Sequence, residues 1–102
     1  MTTDALLVDV GGDSGALVVY ASEDFVGHEI EIARAEDPSG HPVHNVVRAR
    51  RLCDAVVCAA VFPTLPVGRY VPHGDWLASG RTAFSVVGGR VTELNGPGHQ
   101  AP

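Results

Sequence analysis

Two histidines three positions apart, His41 and His44 in "HPVH", are the residues here best suited to metal chemistry. Imidazole nitrogen takes zinc and copper, usually beside an acidic or thiolate third ligand. Glu31 is the acid that a hairpin around "DPSG" would bring opposite His44. The candidate metal set is therefore His41, His44 and Glu31, with zinc or copper as the ion and no other cofactor implied. The signal is weak: the spacing spans a turn and the start of a strand, and the chain has no CxxC and no HExxH. A second grouping, Tyr70, His73 and Asp75, holds acid/base residue types. Pro72 lies between Tyr70 and His73, and nearness in sequence is not the hydrogen-bonded geometry that proton transfer requires.

"GDSG" at Gly12–Gly15 resembles the nucleophile motif of trypsin-like serine proteases and the start of the GDS-type esterases. The protease order needs a histidine upstream of the serine, and none precedes Ser14. The esterases carry a late Asp-x-x-His, and no Asp here has a His three residues on. "VDVGGDSG" also resembles the phosphate loop of sugar kinases and actin-like ATPases. No glycine-rich loop opens a helix here, so no helix N-terminus is available for a phosphate. A turn between two apolar strands accounts for the segment. The chain is expected not to be an enzyme.

Short runs rich in Val and Ile must position all these groups. They fall at 5–10, 15–21, 26–33, 42–51, 55–62, 68–72, 81–87 and 90–94, with Gly, Pro, Asp and Ser clusters between them. No window sustains an apolar recurrence at three and four. This spacing predicts an all-β, antiparallel, Greek-key-like sandwich of seven or eight strands. Residues 1–95 are expected to form one domain, and "GPGHQAP" reads as a disordered tail over 96–102.

Alternation assigns faces. Val26, His28, Ile30 and Ile32 share a core face, opposite Glu29 and Glu31. Val43, Asn45, Val47 and Ala49 point inward, and His44, Arg48 and Arg50 outward. A Glu29/Glu31 stripe would then lie beside a His44/Arg48/Arg50 stripe, and cross-strand attraction explains that without any function. Strand 55–62, "AVVCAAVF", is apolar on both faces. It is either a covered central strand or an exposed small-residue patch that a partner covers. The candidate interaction residues are Ala59 and Val57 on that strand, and His73 and Trp76 in "HGDW".

The formal charge is −5, and all seven cations are arginines. Residues 1–37 hold nine acids and one arginine. A chain this acidic lacks the basic footprint of a nucleic-acid binder. No apolar run is long enough to span a bilayer, and "MTTDALLVDVGG" is too acidic for a secretory leader. Cys53 and Cys58 would stand roughly 16 Å apart in one strand, too far to bridge. Two reduced thiols fit a cytoplasmic location.

The segment Phe62-x-x-Leu65-Pro66-x-Gly68-x-Tyr70 resembles a stretch common in prealbumin-like sandwiches, including Cna-B and carboxypeptidase-regulatory-like repeats. A similar corner occurs in fibronectin type III modules. The resemblance implies that Phe62 ends a core strand and Leu65 plugs the end of the sandwich. It implies also that Tyr70 buries its ring and bonds its hydroxyl back to backbone. Across "VDVGGDSGALVVY", "GHEIEI", "AAVFPTLPVGRY" and "VVGGRVTEL" the chain resembles small actinobacterial proteins of this fold, a likeness that implies no activity. Those relatives usually have a basic residue where this chain has His28, which argues against a metal role for His28. The transthyretin-like hydroxyisourate hydrolases end in Tyr-Arg-Gly-Ser; this chain ends "LNGPGHQAP", so their activity is not carried over. The expected function is a small non-catalytic binding or protein-interaction module, working with a protein partner or as a homodimer. The alternative is a histidine-based metal binder.

Overall fold

The computed structural model describes residues 12–52, 54–74 and 83–98. Eight strands run through them: β1 (Ser14–Tyr20), β2 (Glu29–Arg34), β3 (Val43–Val46), β4 (Arg48–Leu52), β5 (Ala55–Pro66), β6 (Gly68–His73), β7 (Phe84–Val86) and β8 (Val91–Asn95). They form two four-stranded sheets, ordered β4-β5-β1-β8 and β3-β2-β6-β7. The expected all-β sandwich is the observed architecture. The strand expected at 5–10 lies outside the described residues, as do Cys53 and Trp76. No helix of the described residues is long and apolar enough to cross a membrane.

The core follows from period-two alternation. Leu17 and Val19 of β1, Ile30 and Ile32 of β2, Ala60 and Phe62 of β5, and Tyr70 of β6 meet between the sheets. A buried Leu, Ile or Phe contributes about 1.5–3 kcal/mol each, so this layer dominates the stability of the fold. Cys58 lies in it as a free, buried thiol. The outer face of β5 is apolar too: Val18, Ala59 and Val61 form a second buried cluster flanked by Tyr20 and Val57. The middle of strand 55–62 is thus covered on both faces, while Val56 near its start is 56% exposed.

Several expectations need correction. The extended run over 42–51 is two strands in different sheets, and the chain crosses between them at Val47. Val47 is fully buried, donates its N–H to the His28 carbonyl and accepts the Gly27 N–H, both at 2.9 Å. The inward parity of Val43, Asn45 and Ala49 survives the crossing, since they oppose Ile32, Ile30 and Cys58. Val43 and Ala49 nevertheless stay exposed, because β3 and β4 are edge strands among the described residues. Val26 and His28 are exposed and do not join the core face of β2. A 3-10 turn at Glu23–Phe25 and Gly27 at φ +95° bend the chain before β2 starts.

Strand β5 does not stop at Phe62. It runs to Pro66, and its register against β1 slips by one between Leu17↔Phe62 and Gly15↔Leu65. The extra residue lies at Pro63–Thr64, a β-bulge, where a strand tolerates proline. The slip returns Leu65 to the core, three positions after Phe62. Val67 alone then links β5 to β6 in the opposite sheet.

One pairing departs from the antiparallel expectation: β1 and β8 run parallel from Ala16↔Val91 to Tyr20↔Asn95. The path past β8 also stays bonded. Gly96 N–H donates to Tyr20 O and Ser22 N–H to Pro97 O.

Candidate functional site

Because Ile30 and Ile32 face the core, Glu31 between them faces out. Its neighbours on both sides are histidines. Glu31 opposes His44 across the β2–β3 ladder and His73 across the β2–β6 ladder. Directly opposed residues share a face, with Cβ atoms about 4.5–5.5 Å apart. His44, Glu31 and His73 therefore form a row across three strands, on the outer face of the second sheet. His73 Nδ1 and Glu31 Oε1 lie 3.2 Å apart, and their side chains are 35% and 34% exposed. An ion pair this exposed contributes about 0–1 kcal/mol, so the core owes it little.

The structure sorts the sequence candidates. His44 and Glu31 face each other across the hairpin, as expected. His41 remains in the exposed loop before β3 and is not part of the row, because β3 starts only at Val43. His73, expected as an interaction residue in a loop, instead ends β6 and completes the row. Ala59 is fully buried and offers no contact surface, while Val57 is half-buried. Tyr70 and His73 do not converge: Tyr70 is in the core and His73, three residues on, is on the outer face. Ser14 opens β1 after the turn at Gly12–Asp13, opposite Pro66, as the turn reading of "GDSG" expects.

Arg48 and Arg50 do not lie beside Glu29 and Glu31. They belong to β4 in the other sheet and oppose Ala59 and Val57. Burial, and then the like charge of Arg48, pushes the Arg50 guanidinium down. On the same outer face, the Tyr20 hydroxyl donates to Glu93 Oε2 at 2.7 Å. Burial first, then that hydrogen bond and the Glu93 charge, push Tyr20 up to about 12.

The corner after β5 carries its own polar cluster. The Tyr70 hydroxyl donates to the Pro66 carbonyl at 2.7 Å and accepts from Arg34 Nη1 at 3.0 Å. Arg34 also donates to the Val67 carbonyl and stands over the Tyr70 ring, 5.1 Å from its centroid. The hydrogen bond Arg34 donates to the Tyr70 hydroxyl is the main influence raising its guanidinium. This cluster fixes a turn. Its tyrosine was legible from the corner motif; Arg34 was not, because it comes from β2.

Among the described residues no three of His, Cys, Asp and Glu are gathered closely enough to hold an ion as they stand. No protein-family model, no curated protein and no solved structure matches the chain. Fold and site thus define a class by geometry alone: a small β-sandwich that presents an imidazole–carboxylate–imidazole row on three hydrogen-bonded strands.

Proposed function

We propose that the protein is a small non-catalytic binding module. Its binding surface is the outer face of the second sheet, centred on His44, Glu31 and His73. One observation carries this reading: a single glutamate is opposed by a histidine on each flanking strand. Side chains set on paired strands hold their positions better than side chains on loops. The separation of Tyr70 from His73 across β6 supports binding over proton transfer. A cytoplasmic location belongs to the same proposal, supported by the buried free thiol of Cys58. So does a prealbumin-like arrangement, supported by the Tyr70–Pro66 hydrogen bond at the corner.

Amide NMR tests the surface. The protein is titrated separately with zinc, copper, an acidic peptide and an arginine-rich peptide. At least one should move the amides around Glu31, His44 and His73, and the Glu31→Gln/His44→Ala double variant should lose the response. No response across the panel, or responses confined to other strands, would refute the surface.

Self-association is a second reading, with one observation in its favour. The edge strand β3, "VHNV", carries no charged side chain, whereas the edge strand β4 carries three arginines. Uncharged edges invite pairing. A particle of twice 10.7 kDa by light scattering supports it; a clean monomer at high concentration ends it.

A further inference from the structure

We infer that the ligand of this face is a divalent transition-metal ion, zinc or copper, held by the Glu31 carboxylate and the His73 and His44 imidazoles. The inference rests on the binding surface proposed above and names its ligand class.

The first support is a distance. Glu31 Oε1 and His73 Nδ1 are 3.2 Å apart. Two ligands at about 2.0–2.1 Å from one tetrahedral ion stand roughly 3.3 Å from each other. The pair is therefore already spaced to share a metal lying to one side of the line between the two atoms, with no movement of the strands. The second support is the register. His44 opposes Glu31 on the side away from His73. It is exposed, so its ring has room to change rotamer towards the carboxylate. That rotation is what the arrangement still needs. The donor set then has two nitrogens and one oxygen, a composition that suits zinc and copper better than magnesium or calcium. The third support is charge. Glu29 lies beside Glu31 on the same outer face, which favours a cation there.

The expected ion leaves a position open to solvent, since three protein ligands fill only part of a four-coordinate shell.

Calorimetric titration of the intact chain with zinc, and with copper followed by electron paramagnetic resonance, tests the inference. One ion should bind per chain, and the copper spectrum should show two coupled nitrogens. His44→Ala, His73→Ala and Glu31→Gln should each weaken binding on the order of tenfold or more, with unchanged melting temperature in the absence of metal. His41→Ala should bind like the parent. If zinc and copper leave the row's amides unmoved while a peptide of the panel moves them, the metal inference fails and the binding surface stands. If the metals bind with parental affinity after loss of both His44 and His73, the inference fails as well.

Discussion

The Tyr70 hydroxyl donates to the carbonyl of Pro66, four residues earlier, at 2.7 Å. With Arg34 donating to the hydroxyl in turn, it ties the end of β5 to the start of β6 across the only residue between them. Tyr70→Phe keeps the ring and its stacking on Phe84, whose centroid is 6.1 Å away. It removes both bonds and leaves a polar carbonyl without its donor. The expected loss is about 1–3 kcal/mol, read as a lower urea midpoint at constant slope. A midpoint shift within error would show that the corner holds without the hydroxyl.

Gly68, just past that corner, has φ +146° and lies under the Arg34 guanidinium, which would meet an added Cβ at 3.0 Å. Gly68→Ala should destabilise by about 1–3 kcal/mol through the strained backbone. It should also displace Arg34, so Gly68→Ala and Arg34→Ala should be less than additive in a double-mutant cycle. Simple additivity would remove the coupling.

Asn45 is the inward-facing polar residue of β3. Its Nδ2 donates to the Val61 carbonyl in the opposite sheet at 2.8 Å, and its Oδ1 accepts the Val46 N–H at 2.8 Å. One side chain thus ties the sheets together and satisfies a backbone donor on an edge strand. Asn45→Ala should cost about 1–3 kcal/mol and speed hydrogen exchange at Val46. Unaltered exchange at Val46 would argue against the second role.

Tyr20, raised from 10.0 to about 12, sets an alkaline limit. The folded state holds the phenolic proton more tightly than the unfolded chain, so this stabilisation is complete below pH 10. It is lost as pH rises towards about 12, because the unfolded chain ionises first. Tyr20→Phe should flatten the fall in stability over that window, and Glu93→Gln should move the phenol's ultraviolet titration to lower pH. A Tyr20 titration that ignores Glu93→Gln would dismiss the hydrogen bond as a cause.

The sequence reveals what is periodic and local. Ile30 and Ile32 are readable as core because Glu29 and Glu31 alternate with them, and Leu65 and Tyr70 because the corner motif constrains both. The crossing at Val47 is hidden: Val43, Asn45, Val47 and Ala49 keep one parity through it, and no Gly or Pro marks the break. His28 misleads in the opposite way, because it continues the apolar parity of β2 from beyond the bend made by the 3-10 turn at Glu23–Phe25 and Gly27. The row's third member was out of reach for another reason. His44 opposes Glu31 through a hairpin, and hairpins are local. His73 opposes Glu31 through a pairing of strands some forty residues apart, and no composition or spacing specifies which distant strands will meet.

The parallel pairing of β1 with β8 has a kinetic consequence. Among the described strands β1 has β5 and β8 as its neighbours, and Ala16 must find Val91. Long-range pairing of this kind slows folding, because loop-closure entropy is lost before the contacts form. Hairpins such as β4–β5 can assemble early, while one edge of β1 stays open until residues 91–95 arrive. Stopped-flow refolding should therefore show Val91→Ala and Leu94→Ala accelerating unfolding and leaving the folding rate nearly unchanged, the behaviour of contacts made after the barrier. During that interval the uncovered edge of β1, flanked by Leu17 and Val19, is where a newly made chain would most readily join another copy of itself.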